Sequence, residues 1–231
     1  MKQYLKHSVA WVLAWVLAWV LATIAVSCQD DNDGADVYTD FRYDLVTYTG
    51  QEAEGATFEY LGQNDSTVVT LHSNLDKQDD LKVGRRLLLN YKVLERLSPN
   101  NWRVTVNNYS TGVASDSLRY NTHPLEDYAM HPIRLKSLWR TGNYINLRCE
   151  LEYTGKARQL YLMIDKETHH ADTVHCYLVH DLLGAPATYF WRSCYASFYV
   201  RQVWRLESCK TLRVHVNDET YPDRTYYDFS K

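Results

Sequence analysis

Asn143-Tyr144-Ile145-Asn146-Leu147-Arg148-Cys149-Glu150-Leu151-Glu152-Tyr153 alternates without a break, with Ile145, Leu147, Cys149 and Leu151 on one side and Asn146, Arg148, Glu150 and Glu152 on the other. Successive side chains of a strand point to opposite faces, so this period of two marks a strand with one packed face and one wet face. Downstream the same rule recurs at Leu160, Leu162 and Ile164, at Val174, Cys176 and Leu178, and at Leu212, Val214 and Val216. The stretch from Phe190 to Leu206 alternates too, but it is too long for one flat strand and predicts a bend or bulge. Short strands of this kind, separated by turn signals, imply an antiparallel β-sandwich over residues 132–231.

Upstream, Asn121-Thr122-His123-Pro124 through His131-Pro132 holds two His-Pro pairs and no periodicity, which marks a domain boundary. Before it, Thr57 to Leu61 and Thr67 to Leu71 read as strands, and Gly84 opens a longer one in which Leu87, Leu89, Tyr91 and Val93 share a face. Pro99-Asn100-Asn101 turns the chain into Trp102, Val104 and Val106. Residues 56–121 therefore read as a second, smaller all-β unit, an OB-like barrel. The predicted fold class is all-β throughout.

Gly84 through Leu94, Leu138-Trp139-Arg140-Thr141-Gly142-Asn143-Tyr144-Ile145-Asn146-Leu147 and Tyr195-Ala196-Ser197-Phe198 together resemble the NigD-like lipoprotein family. The resemblance covers nearly all of the chain beyond its N-terminal segment. It implies an N-terminal OB-type barrel and a C-terminal β-sandwich behind a lipoprotein signal. Its motifs are structural, and it carries over no catalytic or ligand-binding residue. The family name comes from a bacteriocin gene cluster, which makes an accessory or immunity role the alternative to a general binding module.

The N-terminus reads as an export signal. Lys2 and Lys6 precede an uncharged run over residues 8–27 that contains Trp-Val-Leu-Ala three times. As a helix the run would extend about 30 Å, enough for a retained membrane anchor. The small residue Ser27 directly before Cys28 favours cleavage instead, since Ala25-Val26-Ser27-Cys28 resembles a lipobox, with Ala25 where Leu is usual. The expectation is a lipoprotein signal peptide over residues 1–27 and lipid attachment at Cys28. Residues 28–55 then form the anchor and a linker, whose first part, Gln29 to Asp36, is a solvated acidic tether. Similar acidic segments behind the lipidated Cys direct lipoproteins of one phylum of anaerobic Gram-negative bacteria to the outer face of the outer membrane. Localisation in the cell envelope, as an outward-facing outer-membrane lipoprotein, follows from that resemblance.

Composition narrows the function classes. Losing Lys2 and Lys6 leaves 23 of the 25 basic residues against 28 acidic ones, a net charge of −5. Binding nucleic acid rests on neutralising phosphates, so this balance argues against that class. Cys149, Cys176, Cys194 and Cys209 contain no CxxC pair, which argues against a zinc ribbon. Export makes disulfides chemically feasible, yet three of these Cys lie on apolar strand faces where a free thiol is an ordinary core residue. Disulfide pairing stays open at this point.

Glu150 and Glu152 lie roughly 6.5–7 Å apart along one strand face, a spacing that paired glycosidase carboxylates use. They also occupy the polar side of a cleanly alternating strand, where Glu is expected. His169, His170, Asp172 and His175 fall within seven residues and are candidate metal ligands, but they straddle a hairpin turn. HExxH, GxSxG, P-loop and GxGxxG patterns are absent. Tyr91, Trp102 and Tyr109 belong to the barrel, whose exposed face is able to stack sugars, although aromatic residues in a small barrel are usually core. Asp65-Ser66-Thr67, Asp116-Ser117-Leu118 and Asp172-Thr173-Val174 resemble the O-glycosylation sequon of the same phylum and mark Ser66, Ser117 and Thr173 as candidates.

The sequence thus predicts a non-catalytic lipoprotein with no metal and no cofactor, tied to the membrane through Cys28, that binds a protein or a glycan. A bacteriocin-linked accessory or immunity role is the alternative, and a glycan-active hydrolase the weaker one.

Overall fold

The computed structural model describes residues 41–62, 67–153, 155–156, 158–186 and 190–231. The signal run, Ser27, Cys28, the acidic tether and Ser66 lie outside the described residues. Residues 41–231 form one compact unit.

The chain opens with β1 (Phe41–Gln51), β2 (Ala56–Leu61), β3 (Val68–Ser73), β4 (Arg86–Ser98) and β5 (Asn101–Ser110). These close into a barrel in the order β1-β2-β3-β5-β4, all neighbours antiparallel except β3 and β5. Closure removes sheet edges, so a short barrel stands without edge protection. Val46, Tyr48, Phe58, Leu71, Leu87, Leu89, Tyr91 and Val104 fill its interior. Strand β4 shows how the period produces the barrel: Leu87, Leu89 and Tyr91 point inward, while Arg86, Leu88 and Asn90 point outward. Its pairing with β5 slips at three places, and each irregularity lets a 13-residue strand curl around so small a core.

Two sheets make the sandwich. The first runs β14 (Tyr226–Ser230), β13 (Thr211–His215), β11 (Thr173–Asp181), β10 (Gln159–Ile164) and β7 (Arg119–Tyr120). The second runs β6 (Ala114–Ser117), β12 (Trp191–Tyr199), β9 (Tyr144–Glu152) and β8 (Arg134–Thr141). Between them lie Ile145, Leu147, Cys149 and Leu151 of β9 against Leu162, Ile164, Val174, Cys176, Leu212 and Val214 of the facing sheet. The apolar half of the Asn143–Tyr153 alternation is therefore the core face.

The fold is all-β, a small barrel followed by a sandwich, as the periodicity indicates. Several placements differ in detail from the reading of the sequence. Residues 41–51, within the expected linker, are β1. Residues 114–120, within the expected barrel unit, leave the barrel and add β6 to one sheet and β7 to the other. Both join in parallel, and β11 and β13 also pair in parallel, so the sandwich is not purely antiparallel. The cause is connectivity: between β11 and β13 the chain builds β12 in the opposite sheet, and a crossover of that kind returns parallel. The expected bend after Phe190 falls at the end of β12, where Val200 leads into a single helical turn, α1 (Arg201–Trp204).

Candidate functional site

Barrel and sandwich meet through a buried arginine. Arg86, at the start of β4, donates from Nε to Ser197 Oγ at 3.0 Å, from Nη2 to Asn146 Oδ1 at 3.3 Å and from Nη1 to Thr47 Oγ1 at 3.2 Å. Ser197 Oγ donates in turn to Asn146 Oδ1 at 2.8 Å, and Asn146 Nδ2 to Thr141 Oγ1 at 2.8 Å. The guanidinium also lies 4.4 Å above the Tyr144 ring. Burial lowers its pKa to about 10, still well above neutral pH, so it remains charged. Neutral oxygens and an aromatic face hold this cation, a geometry suited to the planar guanidinium fork and not to a lysine.

Beside this junction a cleft of about 540 Å³ opens between β1, β2 and β4 of the barrel and β8 and β12 of the sandwich. Its walls carry the rings of Tyr43, Tyr60, Trp139 and Tyr195, its apolar surface comes from Leu45, Leu61 and Leu88, and Asp44 and Thr141 supply polar groups. Tyr43 is 68% exposed. Asp44 is oriented before any ligand arrives, because its Oδ2 accepts from Tyr91 Oη at 2.9 Å and from Arg42 Nε at 3.1 Å. Arg42 itself lies over the Tyr60 ring at 4.8 Å and the Trp102 ring at 5.4 Å. Burial, and after it the negative charge and hydrogen bond of Asp44, raise the Tyr91 pKa, so that phenol stays protonated and donates. An aromatic trough with one fixed carboxylate acceptor suits the ring faces and hydroxyls of a sugar. Among the described residues that line it, Asp44 is the one carboxylate.

The residues singled out from sequence are placed as follows. Tyr91 and Trp102 belong to the barrel core, and Tyr109 packs against it and donates to Asp80 at 2.9 Å. The rings that line the cleft are Tyr43, Tyr60, Trp139 and Tyr195, which the sequence reading did not select. Tyr43 falls in a stretch read as linker, and the others come together only where barrel and sandwich converge. Glu150, paired with Lys136 at 3.2 Å, and Glu152 lie on the outer face of β9 and not in this cleft.

The histidine group divides. His169 and His170 stack edge-on at 4.5 Å beside Tyr120, Asp172 pairs with Lys210 at 2.6 Å, and His175 Nδ1 sits 3.3 Å from His215 Nε2. No set of three metal-type ligands exists among the described residues. Cys149, Cys176, Cys194 and Cys209 are all free thiols, although Cys149 and Cys194 face each other across β9 and β12. Ser117 is exposed on β6, and Thr173 is half-buried at the start of β11. The aspartates of both sequons are already engaged, Asp116 with Arg119 and Asp172 with Lys210. No helix among the described residues is long and apolar enough to cross a membrane.

Fold and site define a class: a two-part β protein, an OB-type barrel followed by a mixed sandwich, with an aromatic cleft at the seam. No protein-family model and no curated protein matches the sequence. Solved structures do share the fold. A protein of unknown function from Bacteroides vulgatus ATCC 8482 superposes with a TM-score of 0.64 at 19% identity, covering 83% of this chain and 90% of that one. A NigD-like immunity protein from Bacteroides caccae ATCC 43185 gives 0.57 at 16% identity, over 82% of this chain and 96% of that one. A protein described as a lipoprotein, from Bacteroides fragilis NCTC 9343, gives 0.56 at 11% identity, over 82% and 97%. At these identities the likeness is one of fold. That fold is the architecture which the NigD-like resemblance implies.

Proposed function

We propose that this chain is a NigD-like envelope lipoprotein, lipidated at Cys28 after removal of residues 1–27, that binds a glycan without transforming it. The observation that carries the reading is the cleft at the seam, with four aromatic rings around one oriented carboxylate. The acidic tether gives the body reach from the membrane, and display on the outer face of the outer membrane follows from it. Calorimetric titration of the full chain in detergent against a panel of neutral oligosaccharides tests the binding. Tyr43→Ala and Trp139→Ala are each expected to weaken the best ligand at least tenfold, about 1.4 kcal/mol. Unchanged affinity in both variants, or no bound oligosaccharide, overturns the reading. Incorporation of an alkyne fatty acid that is lost in Cys28→Ser tests the anchor, and protease shaving of intact cells tests the orientation.

A second reading is supported by the fold shared with the NigD-like immunity protein. In it the same seam contacts a bacteriocin-linked protein. Increased toxin sensitivity of a deletion strain, with no glycan bound, would favour it.

A further inference from the structure

A second cavity, of about 520 Å³, lies in the sandwich and is independent of the seam. It opens where β6, the end of β9, the start of β10 and the start of β12 come together. Arg119, Lys156, Arg158 and Arg192 line it against the single carboxylate of Asp116. The chain as a whole is net negative, at −3. Four cations around one opening are therefore a local concentration of charge and not a sample of the surface.

The arginines differ in what engages them. Arg119 donates from Nε to Asp116 Oδ2 at 2.9 Å and lies 4.4 Å over the Tyr161 ring, so its charge is largely answered. Arg192 is exposed and lies 5.5 Å from the Tyr153 ring centroid. Stacking engages the guanidinium face and leaves its in-plane N–H groups able to donate. Arg158 carries a buried Nη1 with no hydrogen-bond partner among the described residues. Leaving such a donor unsatisfied costs about 1–3 kcal/mol, and more for a charged group. Arg158 also lines the opening, so an oxyanion held there lies beside its guanidinium.

We propose that this cavity binds the anionic group of an acidic ligand, a carboxylate or a sulfate, with Arg158 and Arg192 as its donors. Planar N–H pairs fit both oxyanions in bidentate fashion. The site is distinct from the aromatic seam in place and in chemistry, so an acidic glycan could occupy it whether or not neutral sugars bind at the seam.

Calorimetry on the full chain in detergent, with trigalacturonate, glucose 6-sulfate and glucose as probes, tests the assignment. Binding of trigalacturonate or of glucose 6-sulfate, but not of glucose, is expected, and whichever binds identifies the oxyanion. Arg158→Gln and Arg192→Gln are each expected to weaken that probe at least tenfold, while Tyr43→Ala leaves it unchanged. Arg158 is partly buried, so the exposed Arg192 decides the outcome wherever the circular dichroism of Arg158→Gln departs from wild type. Absence of binding by both anions at millimolar concentration, or wild-type affinity in Arg192→Gln, overturns the proposal.

Discussion

His215 stacks flat on Tyr177, ring centroids 4.3 Å apart, with His175 at 3.3 Å on its Nε2. Burial, the largest cause, together with the positive potential of His175 and Arg213, holds its pKa down to about 4, against the opposing pull of Asp228 and Asp165. The folded protein therefore keeps His215 neutral where an unfolded chain, titrating near 6.5, takes up a proton. Between those values the unfolded state binds more protons, so stability is full above about 6.5 and falls as the pH drops towards 4. Melting temperature should decline over that window in the wild type. In His215→Phe, which keeps the stack on Tyr177 and loses the titration, the decline should be shallower, as thermal melts across the window would show. The His residues were visible in the sequence as a group, but the pairing that matters joins His175 to a residue 40 positions away. Only the parallel register of β11 and β13 makes it.

Among the elements, the turn between β1 and β2 depends on one glycine. Gly55 has φ +147°, and a Cβ built there would run into the backbone carbonyl of Ser73. That approach is structural, since Ser73 Oγ donates to the Ala56 carbonyl at 2.6 Å and Ala56 N donates to Leu75 O at 2.8 Å. Gly55→Ala must push backbone against backbone, with an expected loss of about 1–3 kcal/mol in urea unfolding. Element legibility followed period and contrast. Strands β2, β3, β4, β5, β9, β10, β11 and β13 were readable because each carries an uninterrupted alternation or a β-branched run. Strand β1 was not recognised, although Val46 and Tyr48 are buried within it, because it follows directly on an acidic stretch that reads as linker. Strands β6 and β7 offer only short polar runs, Ala114–Ser117 and Arg119–Tyr120, which become strands by pairing with β12 and β10.

For the molecule as a whole, Arg86 ties the barrel to the sandwich by buried hydrogen bonds. Arg86→Ala strands Asn146, Ser197 and Thr47 without their charged donor. Hydrogen bonds to charged groups contribute about 1.5–3 kcal/mol, so a stability loss of at least that size is expected in chemical denaturation. The unfolding transition should also broaden as the two cores, separate in composition, lose their coupling. Arg86→Lys should recover only part of the loss, because an ammonium cannot serve three divergent acceptors from a face-on position over Tyr144. A full recovery by lysine would show that charge alone, and not the fork, joins the units. The sequence by itself determined that this is an all-β chain and which strand faces fill the barrel and the sandwich, because a period of two is local; the further cluster of Tyr161, Met163 and Val179 on the other face of β10 and β11 was not legible that way. Tertiary structure alone decided the closure of the barrel, the parallel entry of β6 and β7, the ring set of the seam and the arginines of the second cavity. Those features bring together residues from distant strands, and no local period records which strands become neighbours.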